Sequence, residues 1–192
     1  MEFETKHILL RPIEEKDLPL LHKWRNSVDF IKFCSVRRNP VGYEDFIAEL
    51  KRDFEKDRHL QFIIEAKNKN VPIGTIYTYN LNLIDGYVFI TVYLDGSYRR
   101  RGYGVEAVAL LLRYLFESLP LHKIYMEVYA YNNLSMSILK RVNFVEEGRF
   151  KEHRFFEGGR HDLIRFAVYR NFLEEVVKFL DGLKSTKEQK SR

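Results

Sequence analysis

Apolar residues recur along the chain with two different periods, and the switches between them mark its elements. His7 to Arg11 reads as a first strand, and Asp17 is placed to cap a helix carrying Leu18, Leu21 and Trp24. A second helix is predicted over Tyr43 to Lys56, because Phe46, Ile47, Leu50 and Phe54 fall on one face. The period then shortens. Leu60 to Ala66, Ile73 to Asn80 and Tyr87 to Leu94 are rich in β-branched and aromatic residues, separated by turn signals at Lys67 to Pro72 and Asn82 to Gly86. Such short connections predict an antiparallel meander. A third helix begins near Gly104 and runs to about Leu119, its buried stripe supplied by Val105, Val108, Leu111, Leu112 and Leu115. Lys123 to Tyr129 is a further strand, and the helix before it permits it to lie parallel to the strand ending at Leu94. Leu134 to Val142 reads as a short helix, and Gly148 to Phe156 with His161 to Tyr169 as a hairpin turned at Gly158-Gly159. Asn171 to Leu183 is an amphipathic helix through Phe172, Val176, Val177 and Leu180.

The elements alternate without a repeat or a Pro/Gly-rich linker, so residues 1–183 are expected to form one domain and residues 184–192 a basic, disordered tail. With 45% hydrophobic and 31% charged residues over 192 positions, a packed core is affordable and a disordered chain is excluded. Cys34 is the only cysteine, which excludes an internal disulfide and a cysteine zinc cluster and favours a packing role. The six histidines form no tight ligand set; His153 and His161 could face each other across the hairpin, but no metal site is expected. The formal charge is +5, of which the tail supplies +3, leaving too little for a general nucleic-acid surface. No apolar stretch follows Met1, and the longest uncharged apolar run, Ala107 to Leu112, has six residues. Neither a signal peptide nor a membrane span is expected, and the protein is expected to be cytoplasmic.

The segment Arg99-Arg100-Arg101-Gly102-Tyr103-Gly104-Val105 joins a strand to a long helix, where unpaired N–H groups and the helix dipole favour an anion. Glycines let the backbone approach an oxygen closely, and arginines add bidentate phosphate donors, so a diphosphate ligand is indicated. A solvated basic turn is the bland alternative. Gly102-x-Gly104-x-x-Ala107, with Glu127 twenty residues on, also fits a loose dinucleotide fingerprint. That reading fares poorly, because seven mostly polar residues, Asp95 to Arg101, separate Leu94 from the first glycine, and an antiparallel meander precedes them. No Gly-x-x-x-x-Gly-Lys-Ser/Thr loop is present.

The same residues resemble the GNAT superfamily of N-acetyltransferases. Arg99 to Gly104 matches its Arg/Gln-x-x-Gly-x-Gly/Ala pyrophosphate loop. Asn132-x-x-Ser135, Leu139 to Phe144, Glu147-Gly148 and Gly159-Arg160-His161-Asp162 look like the branch that acetylates ribosomal-protein N-termini and polyamines such as spermidine, as does Leu10-Arg11-Pro12 followed by Asp17. The likeness covers about Ile8 to Tyr169. It implies a single-domain α/β (α+β) fold, with a mixed, mostly antiparallel sheet of about seven strands flanked by helices and a splayed parallel strand pair. It also implies acetyl-CoA as acyl donor, a primary amine as acceptor, and direct attack in a ternary complex. The donor-binding residues it implies are Tyr93 and Leu94 at the splay, Arg99, Arg100, Arg101, Gly102, Tyr103, Gly104 and Val105 in the loop, and Asn132 and Ser135 beyond the next strand. Asn132 could equally be a helix N-cap. Asp95-Gly96 is the expected opening bend, although the family often has proline where Gly96 stands.

Most alkyl amines arrive protonated, so a base is needed as well as a proton donor for the leaving thiolate. Glu127 and Glu152 are the candidate bases. Their bland alternatives are an exposed strand position, since Tyr125, Glu127 and Tyr129 share one face, and a hairpin surface charge. Relatives often carry a tyrosine acid where this chain has Leu139, so the resemblance points to Ser135 instead, with Tyr129 and Tyr131 as spare hydroxyls. Asn143 replaces a usual glycine before Phe144, a position where asparagine can adopt a left-handed cap. Acceptor-binding loops are expected at Asn26 to Tyr43 and in the hairpin around Gly158. Peptide N-termini, polyamines, amino sugars and amino-group antibiotics stay open, as do a longer acyl-CoA donor, an RNA- or ribosome-binding module without catalysis, and a homodimer.

Overall fold

A computed structural model describes residues 3–34, 39–55 and 60–185. In chain order the elements are β1 (Ile8–Pro12), α1 (Leu18–Arg25), α2 (Val28–Phe33), α3 (Tyr43–Glu55), β2 (Gln61–Ala66), β3 (Val71–Asn82), β4 (Tyr87–Leu94), α4 (Tyr103–Ser118), β5 (Lys123–Tyr129), α5 (Asn133–Arg141), β6 (Val145–Phe156), β7 (Gly159–Tyr169) and α6 (Leu173–Ser185). The seven strands form one sheet in the order β1-β2-β3-β4-β5-β7-β6. Every neighbouring pair is antiparallel except β4 and β5, which run parallel on either side of the α4 crossover. The expected architecture is therefore present, the splayed pair included.

Strand alternation sorts the sheet into two faces. Ile124, Met126 and Val128 of β5, with Val88 and Ile90 of β4, join the large core under α4 and α6. On the other face α1, α2 and α3 cover a second cluster through Leu21, Trp24, Phe30 and Phe46, packed on Ile63 and Tyr93. Phe89, Tyr125 and Ala167 form a small aromatic cluster farther along that face. In α4 the predicted stripe proves too narrow. Every residue from Ala107 to Leu112 is buried, because α6 covers the side turned away from the sheet. Val105 lies outside that core and faces a cleft instead.

Several local expectations change. Asp17 does not cap α1 with its side chain; the carboxylate is 2% exposed and accepts from Arg11 Nη1 at 2.6 Å and Nη2 at 2.9 Å, while Arg11 Nε reaches Glu65 at 2.7 Å. Those bonds hold the Asp17 carboxyl below its ordinary range. The stretch from Asn26 to Tyr43 is not all loop, since Ser27 accepts from Phe30 N–H and starts α2. The hairpin turns on Glu157-Gly158, both with positive φ, so that Gly159 already belongs to β7. The last helix continues through Ser185, two residues into the expected tail; the rest of that tail lies outside the described residues.

Candidate active site

The site begins where β4 and β5 separate. They pair over only three registers, Tyr87 with Lys123, Val88 with Ile124 and Phe89 with Tyr125, after which β4 continues to Leu94 and β5 to Tyr129 without a shared ladder. Backbone groups that a sheet would normally consume therefore line an opening. Gly74 stands beside the bend: a Cβ there would lie 2.2 Å from the Tyr93 carbonyl oxygen, so glycine is what lets β3 close on β4 at this level.

Past Leu94 the chain makes a short turn, Asp95 accepting from Ser97 N–H, and reaches the arginine-glycine loop. Arg100 and Gly102 both have positive φ, 61° and 86°, and Gly102 is the N-cap of α4. Its carbonyl accepts from Val105 and Glu106, and helix geometry gives the N–H groups of Tyr103 and Gly104 no carbonyl one turn earlier. Glu106, the one acidic group in that turn, is buried and bonded to Thr5 Oγ1 and, at 2.7 Å, to His7 Nδ1. Its charge is thus engaged by the N-terminal segment, its Oε1 lying 3.9 Å from where a Gly102 Cβ would stand, while the loop's Arg100 and Arg101 are exposed. Arg99 behaves differently from these two. Its Nε donates to Leu94 O at 2.9 Å and its Nη1 pairs with Asp29 at 2.8 Å, so it braces the loop.

These features enclose a cleft of about 1060 Å³ that runs from Arg100, Gly102, Gly104 and Val105 along β4 to Glu127, Asn132 and Ser135. The cleft suits a long diphosphate ligand: a glycine cradle at a helix start at one end, and unpaired strand backbone at the other. Asn132 Oδ1 caps α5 by accepting from Ser135 N–H at 3.2 Å, and its NH₂ donors remain to offer a ligand. Glu127 also lines the cleft; Arg165 Nε and Nη2 both donate to its Oε1, at 3.0 and 2.7 Å. The two spare hydroxyls separate. Tyr131 donates its proton to Lys32 O, whereas Tyr129 accepts from Arg154 Nη1 and keeps its own proton to give.

Glu152 is not brought into this group. It sits in the irregular stretch of β6 between Phe150 and Arg154, with φ +52°, and its N–H donates to Asp162, so the bulge carries it away from the cleft wall. His153 and His161 are not a ligand pair either, since His161 bonds Phe156 O across the turn and registers with Arg154. Cys34 ends α2 against Val92 O, and burial pushes its thiol up to about 12, which suits packing. Gly74 and Arg154 belong to no sequence motif. A lone glycine in a strand was the available signal for the first; nothing local marks the second.

An acyl-CoA-type cleft between parted parallel strands defines the class, and comparison with known proteins agrees. The model of the acetyltransferase (GNAT) domain matches residues 7–145. An SPbeta prophage-derived uncharacterized N-acetyltransferase, YokL of Bacillus subtilis (strain 168), is 27% identical over 169 residues, 88% of this chain and 93% of that protein. The putative ribosomal N-acetyltransferase YdaF of the same organism is 23% identical, over 86% of this chain and 93% of its own length. The crystal structure of a spermidine N-acetyltransferase from Vibrio cholerae in complex with CoA and spermine superposes with a TM-score of 0.81 at 21% identity, covering 87% of this chain and 98% of that one. This chain belongs to the GNAT family of acetyltransferases. No helix among the described residues is long and apolar enough to cross a membrane.

Proposed function

We propose that residues 1–183 act as one catalytic domain that acetylates a primary amine by direct attack within a ternary complex. The observation that carries this reading is the single cleft joining the Gly102 helix start to the β4–β5 splay. Tyr103 and Gly104 N–H, with Arg100 and Arg101, hold the diphosphate. The Leu94 N–H at the splay and the Asn132 amide hold the pantetheine arm, the Tyr93 carbonyl being turned to β3 instead, and Arg99 braces the turn between them. Bound acetyl-CoA supplies the activated thioester carbonyl.

Glu127 accepts a proton from the incoming ammonium through water, Arg165 anchoring its carboxylate through Oε1. Backbone N–H groups at the splay steady the developing oxyanion. As the new N–C bond forms and the C–S bond breaks, the nitrogen loses its second proton and Ser135 relays it to the departing sulfur, ending as the hydroxyl it began; the amine attacks the thioester directly, so no covalent enzyme species is formed. Glu152, outside the cleft, has no part in this scheme. Thiol release should therefore be measured with purified full-length protein against a panel of amines, alongside calorimetric titration with CoA. Glu127→Gln and Ser135→Ala are expected to lower kcat by about 10²–10⁴-fold while retaining CoA binding, and Glu152→Gln to behave as wild type. Absence of CoA binding by folded protein would end the proposal.

A further inference from the structure

Arg154 is the one buried residue of β6, 5% exposed, and it stands where the ladder with β7 resumes beyond the bulge. Two neighbours hold its guanidinium: Nη2 donates to Ile31 O of α2 and Nη1 to the Tyr129 hydroxyl, each at 2.8 Å, and Cζ lies 4.4 Å from the centre of the Tyr129 ring. A guanidinium has only donors. Tyr129 must therefore accept along this bond, and among the described residues none takes the proton of its own hydroxyl. Tyr129 is half-buried and lines the cleft with Glu127, Asn132 and Ser135. Tyr131, stacked on it with ring centres 5.5 Å apart, gives its proton to Lys32 O instead. The other charged or titratable groups around the phenol are Glu127 with its partner Arg165, Tyr79 of β3, and Lys32 of α2 above the Tyr131 ring.

A phenol that accepts a charge-assisted bond is polarised to donate more strongly, and a buried cation behind it is only weakly screened. Glu127 and Tyr129 occupy one face of β5 two residues apart, about 6.6 Å at the usual strand rise, so a reacting carbon fits between base and phenol. We propose that the Tyr129 hydroxyl hydrogen-bonds the thioester carbonyl oxygen as it becomes an oxyanion, and that Arg154 is the positioning residue behind it. The inference rests on the acetyl-transfer reading of this cleft and supplies that reaction with a side-chain donor. As the nitrogen lone pair forms the N–C bond, the carbonyl π pair moves onto oxygen; Tyr129 bonds to that oxygen and keeps its proton. When the pair returns, the C–S bond breaks, and Ser135 serves the sulfur as before. A donor aimed at developing charge acts on kcat and leaves ground-state binding nearly alone.

Thiol release by purified full-length protein is measured at saturating acetyl-CoA with propylamine, spermidine, glycinamide and a dipeptide amide, the fastest of them serving as acceptor. Tyr129→Phe should lower kcat by about 10²–10³-fold, with CoA affinity by calorimetry and the acceptor KM little changed. Arg154→Met should lower kcat as well, yet add little in the Tyr129→Phe background, because both changes act through one hydroxyl. A second readout holds even where these variants fold poorly. A ring-fluorinated tyrosine in place of Tyr129 keeps the ring's shape but ionises at lower pH, and its phenolate can still accept from Arg154 while donating nothing. Its kcat should therefore fall at a lower pH than the wild type's, whereas a phenol that only holds Arg154 would leave the profile where it was. Undiminished kcat in folded Tyr129→Phe, additive losses in the double variant, or a fluorinated protein with the wild-type pH profile overturns the inference while leaving acetyl transfer intact. If no amine releases thiol from protein that binds CoA, both readings fall.

Discussion

Gly74 allows a prediction that can be worked from distances. In Gly74→Ala the new Cβ would lie 2.2 Å from Tyr93 O, 2.8 Å from Leu94 Cδ2 and 3.1 Å from Leu94 Cα. A side chain can rotate away, but a carbonyl within a ladder cannot. Carbon and carbonyl oxygen settle at about 3.3 Å at closest, so β3 and β4 would have to part by about 1 Å. The Asp95 N–H to Ile73 O bond, 2.9 Å in the native chain, is then lost or badly stretched. One or two ladder bonds at about 1 kcal/mol each, with overpacking of about 1–3 kcal/mol, give a loss of about 2–5 kcal/mol. That is a large part of a total stability of about 5–15 kcal/mol. The displacement also reaches the donor cleft, because Leu94 O anchors Arg99 and Leu94 Cδ1 lies near Gly104. Urea melts should therefore show the loss, and CoA titration of the folded fraction an affinity at least ~10-fold weaker. Gly148→Ala is the control, since nothing lies within 4 Å of its Cβ; it should stay within about 0.5 kcal/mol of wild type. A Gly74→Ala protein equally close to wild type in both measurements would refute the reasoning.

At Asn132 two roles can be separated: Asn132→Asp keeps the Oδ1 acceptor that caps α5 but removes the NH₂ donor, so stability should hold while CoA affinity falls about 2–13-fold, one hydrogen bond's worth. Asn132→Ala should lose both, with about 1 kcal/mol of stability as well. Arg11→Met leaves the buried Asp17 carboxylate without its cation and should cost about 3–5 kcal/mol near neutral pH. The sign of its pH dependence follows from the depressed Asp17 pKa in the folded state. The ion pair's contribution is complete above the unfolded carboxyl's value of about 3.9 and is lost as pH falls through the lower folded value. Denaturant melts from pH 7 downward should show the gap between wild type and Arg11→Met narrowing only at the acid end; a gap that widens on acidification would contradict the pairing.

Amino-acid order alone was enough for the elements with a strong period and for the anion-binding turn. β4 and β5 lie where alternation puts them, α4 starts within a residue of its predicted glycine, and the Arg99 to Gly104 loop falls between strand and helix as its residue types require. These are local matters: side-chain period, turn chemistry and unpaired N–H groups act within a few residues. The meander and the parallel crossover followed too, because short and long connections permit different strand directions.

What contacts between distant segments decide was out of reach. Asp29 of α2 recruits Arg99 to brace the loop, Arg165 of β7 claims Glu127, Arg11 draws Asp17 away from its cap, and a bulge in β6 carries Glu152 off the cleft wall. Ala107 to Leu112 is buried all round only because α6, some sixty residues later, packs on it. A sequence sets which groups a residue can offer; which partner takes them depends on which surfaces the fold brings within about 3 Å, the distance over which hydrogen bonds and ion pairs act.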